Sequence, residues 1–110
     1  MIHLNPYRIM WLFVFFDLPV ATKTDRKNYT RFRKNLLKDG FTQMQFSVYL
    51  RHCPGQENAE VHVKRVRTCL PPKGQVSILR VTDKQFGLIE TFASKKKIPP
   101  PTAGQQLEMF

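Results

Sequence analysis

Eight apolar residues in succession, Ile9 to Phe16, run directly into Asp17-Leu18-Pro19. No other feature of the chain narrows its fold as much. The run is short and rich in Phe and Val, so residues 8 to 16 read as a strand. Being apolar on both faces, that strand belongs in the middle of a sheet covered on at least one side. Pro19 ends it. A carboxylate is the side chain a buried segment accommodates least. Asp17 therefore either marks where the chain leaves the core, bonding to nearby backbone amides, or is placed there to act.

The stretch TKTDRKNYTRFRKNLLKDG comes next. Thr22 or Thr24 can cap a helix there, and Gly40 can close it in the left-handed conformation. Tyr29, Phe32, Leu36 and Leu37 recur at helical spacing and face a core. FTQMQFSVYLR then alternates, with Phe46, Val48 and Leu50 on one side and Ser47 and Tyr49 on the other. It reads as a strand preceded by a shorter one at Phe41 to Met44, the two forming a hairpin. After Pro54 a second helix places Ala59, Val63, Val66 and Leu70 on one face and stops at Pro71-Pro72. QVSILRVT and GLIETF are further strands, separated by a turn-like DKQF.

The order is βαββαβ with an additional C-terminal strand. Right-handed crossovers then give an α+β, ferredoxin-like plan, an antiparallel sheet with both helices on one face. Within one chain no helix covers the other face, although the first strand is apolar on both sides. A second copy of the chain is the simplest cover, packed through the sheet faces as a homodimer. Residues 1–93 are the ferredoxin-like domain and 94–110 a basic, Pro-rich linker and C-terminal tail. SKKKIPPPTAGQQ reads as exposed linker. The final QQLEMF reads as a frayed tail or, alternatively, a strand added to a partner's sheet.

The chain's 110 residues make one domain, and its 18 Lys plus Arg against 8 Asp plus Glu leave a formal charge of +10. That surplus points to a polyanion. A membrane is the weaker reading, since neither a free amphipathic face, a lipid-anchor motif nor a run of about 20 apolar residues is present. The short run after Arg8 ends at Asp17 without a small-residue cleavage pattern, which predicts no secretory signal and a cytoplasmic protein. Cys53 and Cys69 make no CxxC or zinc spacing and read as packed thiols.

The sharper reading of Asp17 is a ligand for a hard metal, since Mg²⁺ takes carboxylate oxygens, and a bound Mg²⁺ can assist phosphodiester cleavage. The remaining acids are Asp25, Asp39, Asp83, Glu57, Glu60, Glu90 and Glu108, none of them on the first strand. One chain is too poor in carboxylates for a two-metal nuclease site. Two chains about a two-fold axis would bring one Asp17 to the other, and like carboxylates at close range need a cation or a shared proton. His3, His52 and His62 read as surface or packed residues, and Ser47 as a strand serine within reach of the same cleft.

Lys27, Arg31, Lys34 and Lys38 recur at intervals of four, three and four, opposite the apolar stripe of the first helix. Lys23, Arg26 and Arg33 lie nearby, while Asp25 and Asp39 stand only near the ends. These seven are the candidate nucleic-acid-binding residues. Repulsion among like charges weakens a helix unless anions bind, which favours phosphate contacts over a merely solvated face. Such contacts position a duplex without reading its bases. The aromatic strand of the RNA-recognition motif is absent, which argues against single-strand base reading.

YRIMWLFVFFDLPV, DRKNYTRFRKNLLKDGFTQMQFSVYLR and ENAEVHVKRV, in this order over roughly residues 7 to 92, resemble the small CRISPR-associated endoribonuclease family. This is the second protein of the spacer-acquisition pair, in its type II form. The resemblance implies a ferredoxin-like homodimer whose two Asp17 side chains face each other and hold one Mg²⁺. It implies RNase or DNase activity, with Asp17 both catalytic and metal-binding. It also implies a non-catalytic role, binding duplex prespacer DNA and bridging two copies of the larger CRISPR integrase. Arg26, Arg31 and Arg33 fall in the family's basic helix. The alternatives are an mRNA-cleaving, toxin-like endoribonuclease and a small RNA-binding protein without catalysis.

Overall fold

The structure, a computed structural model, describes residues 9–101. Arg8, His3, Glu108 and the QQLEMF segment lie outside the described residues. The long apolar run is strand β1 (Met10–Asp17), flanked on both sides in a four-stranded antiparallel sheet of order β2-β3-β1-β4. β2 is Thr42–Gln45, β3 Val48–Cys53 and β4 Gln75–Thr82. Helix α1 (Lys23–Lys38) links β1 to β2, and α2 (Gln56–Thr68) links β3 to β4. This is the ferredoxin-like arrangement.

Both helices pack on one sheet face. Met10, Leu12, Val14 and Phe16 point into that core, joined by Phe32 and Leu36 of α1 and Ala59, Val63 and Val66 of α2. Alternation sends Trp11, Phe13 and Phe15 to the other face, so a strand of eight residues serves two cores at once. The ends of α1 are fixed locally. Thr22 rather than Thr24 caps it, its hydroxyl accepting the Asp25 N–H at 3.0 Å while the Asp25 carboxylate accepts the Thr22 N–H at 3.2 Å. At the other end Gly40 takes φ +87°. The Gly40 and Phe41 amides then donate to the Leu37 and Leu36 carbonyls at 3.1 and 3.0 Å.

Several readings of the sequence are corrected. Phe46 and Ser47 are not strand residues; they form the turn between β2 and β3, and Phe46 is exposed. A bulge at Met44 shifts the β2–β3 register between Gln43 and Gln45, so Gln45 meets Val48 and Phe46 and Ser47 are left to make the turn, which takes Phe46 off the side that alternation shared with Val48 and Leu50. Leu70 lies beyond α2, half exposed, because the helix stops at Thr68.

DKQF is not a turn but a short helix, α3 (Asp83–Phe86), closed at its start by a reciprocal Thr82–Gln85 cap. α3 covers part of the sheet face expected to be bare. Phe86 stacks on Trp11 at 4.2 Å, and the Trp11 indole N–H donates to Asp83 Oδ1 at 2.6 Å. Cover stops there: farther along the same face Phe15 is 38% exposed, and on β4 Leu79, opposite Phe13, is 48% exposed.

GLIETF forms a strand only from Thr91. β5 (Thr91–Ala93) pairs with β6 (Lys96–Ile98) in a separate two-stranded hairpin, rather than adding to the main sheet. Of the lysines read as linker, Lys96 and Lys97 belong to the outgoing strand of that hairpin and Lys95 to its turn, and all three are exposed. Ser94 and Lys95 both take positive φ, 51° and 69°, as a two-residue hairpin turn requires.

Candidate nucleic-acid interface and the Asp17 rim

Asp17 is the last residue of β1, exposed, and opposite Gln75 of β4. Strand alternation puts it on the face of Phe13 and Phe15, at the end that α3 leaves uncovered. Its carboxylate makes no hydrogen bond or ion pair among the described residues. Its backbone is closely packed, because Gly74 sits at φ +89° against it. A Cβ on Gly74 would lie 2.6 Å from the Asp17 carbonyl oxygen and 2.8 Å from a Leu18 methyl. Glycine is required there both for backbone hand and for space. No group of three or more His, Cys, Asp or Glu side chains gathers as a metal site among the described residues. One chain thus offers Asp17 as a single, accessible carboxylate.

Ser47 does not share this position. It is half-buried in the β2–β3 turn, and its carbonyl accepts the Phe16 N–H at 3.1 Å. The histidines are also accounted for. His62 is buried on α2 with Nδ1 2.8 Å from Asp39 Oδ2. His52 lies edge-on to Trp11 at 5.3 Å, and burial lowers its pKa, partly offset by the charge of Asp83. Both thiols are free. Burial pushes the Cys53 thiol up to about 11 and also raises that of Cys69, so neither is poised as a nucleophile.

Along α1, Lys23, Lys27, Arg31, Lys34 and Lys38 are all exposed and fall within about 80° of arc at about 100° per residue. The acids that could neutralise them are committed elsewhere. Asp25 is buried in the N-terminal cap, and Asp39 is held by His62 and by Arg65, the latter at 2.8 Å. The ion pairs among the described residues involve only His62, Arg65, Arg67 and Arg80 as cations. The α1 cations therefore form an uncompensated stripe on an open surface.

Arg26 and Arg33 stand apart from that stripe, about 100° to 120° around the helix. Arg26 donates to the Val20 and Ala21 carbonyls at 3.1 and 3.2 Å, fastening α1 to the loop that follows Asp17. Arg33 is half-buried near Tyr49. There burial pushes the phenol's pKa up and the Arg33 charge opposes it. The seven predicted cations thus divide into an outward row of five and a pair set off around the helix, Arg26 at the loop that follows Asp17 and Arg33 near Tyr49.

Sequence reasoning passed over Gly74, the Asp39–His62–Arg65 cluster and the exposure of Phe46. For Phe46 a signal existed, since a hairpin within FTQMQFSVYLR needs turn residues somewhere in the run.

The family described as CRISPR associated protein Cas2 matches residues 10–89 of this chain. The chain is similar to the CRISPR-associated endoribonuclease Cas2 of Flavobacterium psychrophilum, 51% identical over 107 residues, covering 97% of this chain and 93% of the relative. The protein of that name from Parvibaculum lavamentivorans is 52% identical over 101 residues, covering 92% of this chain and all of the relative. That from Paracidovorax avenae is 43% identical over 107 residues, covering 97% and 99%.

Proposed function

The chain belongs to the Cas2 family of CRISPR-associated proteins, and on that premise we propose that it works as a homodimer which holds nucleic acid on its α1 surfaces and cleaves phosphodiesters at paired Asp17 residues. The observation that carries the proposal is the uncompensated α1 stripe on a chain of formal charge +10. A duplex backbone supplies the missing anions, and the contacts fix its position without selecting a base sequence. In this reading the ligand is prespacer duplex DNA, and the dimer lies between copies of the CRISPR integrase during spacer acquisition. Family membership supports that partner. The relatives' name, endoribonuclease, supports RNA as a substrate for cleavage.

Support for the dimer comes from the half-covered sheet face. Phe15 remains open two residues from Asp17, and Leu79 remains open on β4 opposite Phe13, while α3 seals the far end, so a second copy would bury the apolar surface that leads to the carboxylate. Drawn together about a two-fold axis, two Asp17 carboxylates would repel one another unless they shared a proton or held a cation between them. Their chemistry fits Mg²⁺, which accepts one or two carboxylates and keeps several waters. When bound, that ion supplies positive charge to a phosphate and favours ionisation of water. The protein's own share is placement: Gly74 fixes the Asp17 backbone, and Arg26 ties the following loop to α1.

The test compares wild type with Asp17→Asn for Mg²⁺-dependent cleavage of RNA and of duplex DNA, and separately for duplex binding with the integrase present. Loss of cleavage with binding retained is expected. Cleavage by Asp17→Asn at the wild-type rate removes Asp17 from the chemistry, and failure of wild type to bind duplex removes the scaffold role.

A further inference from the structure

Phe46 is 76% exposed at the tip of the β2–β3 turn, where a large apolar ring is costly to leave in water. It is nonetheless held in place. The Gln43 side-chain amide donates to the Phe46 carbonyl at 3.3 Å, and the bulge at Met44 sets the direction of the turn. One side of the ring rests on Tyr29, with centroids 6.2 Å apart and planes 29° from parallel. Tyr29 in turn meets Phe16 edge to face at 5.8 Å. The far side of the Phe46 ring has no partner among the described residues.

The surroundings indicate what that free side takes. On α1, Tyr29 lies between Arg26 and Arg33, at the i−3 and i+4 positions that share its helix face. Neither arginine forms an ion pair with an acid among the described residues. An aromatic platform bordered by cations matches a nucleotide, whose base stacks while its phosphates take the charge.

The platform also adjoins Asp17. The β1–β3 register runs to Phe15 opposite Val48, and the Phe16 N–H bonds the Ser47 carbonyl at 3.1 Å. The turn that carries Phe46 therefore closes β3 at the same end of the sheet at which β1 ends in Asp17. The ring lies at the helix-side rim of the sheet and the carboxylate at the opposite side of that rim. A strand crossing the rim passes both.

We infer that Phe46 is a stacking platform for one unpaired nucleobase, so that the nucleic acid crossing the Asp17 rim is single-stranded there while duplex is held on the outer α1 stripe. The inference rests on the nucleic-acid reading above and deepens it with a specificity residue. Stacking of this kind tolerates any base, which is consistent with the absence of a base-reading strand.

The test measures binding without Mg²⁺, so it is independent of cleavage. Fluorescence anisotropy compares a labelled single-stranded oligouridylate with a labelled blunt duplex, for wild type, Phe46→Ala, Phe46→Leu and Phe46→Tyr. Loss of one stacked base weakens single-strand binding roughly 5- to 150-fold. Phe46→Ala and Phe46→Leu are expected to show that loss with duplex affinity unchanged, and Phe46→Tyr to bind as wild type. A 2-aminopurine base in the single strand is expected to be quenched by wild type and not by Phe46→Leu. Equal loss for both nucleic acids, no loss for either, or full rescue by leucine overturns the inference. If single-strand discrimination follows Phe46 while Asp17→Asn still cleaves normally, the cleavage reading fails and the platform stands.

Discussion

Removing charge from the outer row of α1 should reduce the salt dependence of duplex binding by an amount set by the number of cations removed. α1 rises about 24 Å over its length, and five exposed cations line one side of it at steps of roughly 4.5 to 6 Å. If each meets one phosphate, the log-log slope of affinity against salt approaches about −4.5 per chain. Arg31→Gln with Lys34→Gln should reduce it to about −2.7. Between roughly 50 and 200 mM salt, affinity would fall roughly 500-fold for the wild-type row and roughly 40-fold for the variant. The assay is anisotropy of a labelled duplex at several salt concentrations, with Arg80→Gln as control because Arg80 already pairs with Glu60 at 2.8 Å. The double variant also removes like-charge neighbours, each pair costing the helix about 0.2–0.5 kcal/mol, so it should melt no lower than wild type in low salt. An unchanged slope, or an equal reduction in the control, would refute phosphate contact by this row.

Gly74→Ala should cost about 1–3 kcal/mol in urea unfolding, since it forces a left-handed alanine against the Asp17 carbonyl, and it should lower cleavage in the surviving folded protein by displacing Asp17. Stability should fall on the alkaline side. The Cys53 thiol is held protonated to about 11 against an ordinary 9.0, so the unfolded chain ionises first and the fold loses about 2–3 kcal/mol as pH rises from 9.0 to 11. Tyr49, also raised by burial, adds loss of the same sign, and urea melts of Cys53→Ala should show a shallower alkaline decline than wild type. On the acid side the lowered pKa of His52 works the other way. The unfolded chain takes up the proton first, so stability declines as pH falls below 6.5, and His52→Gln should flatten that decline.

The parts of the fold legible in the sequence are those written in local pattern. A two-faced apolar run can only be an inner strand, and the Thr22, Gly40 and Pro71 signals sit at or near the ends of their helices. α3 was legible in principle, because Thr82 and Gln85 have capping-box spacing, but four residues offer too little periodicity to register as a helix. The β5–β6 turn was not legible, since Ser94 and Lys95 take a backbone hand that sequences usually signal with Asn-Gly. At the site, helical spacing identified the α1 cations as a group. Their division into an outward row and a separate pair depends on where Tyr49 and the Val20–Ala21 carbonyls lie, which helical spacing does not show. Phe46 was misplaced for a related reason: the Gln45–Val48 pairing makes it a turn residue, and the alternation of Val48 and Leu50 that sequence reasoning extends back to it stops where β3 begins.

The claim on which the Asp17 chemistry depends is that two chains meet through the sheet face bearing Phe15 and Leu79. Sedimentation equilibrium across a wide concentration range, with Mg²⁺ and a duplex oligonucleotide present and absent, tests it most directly. The expected free-protein mass is twice the 12.9 kDa of one chain, reduced toward a single chain by Leu79→Glu. A 12.9 kDa species at every concentration, with and without cation and duplex, would contradict it.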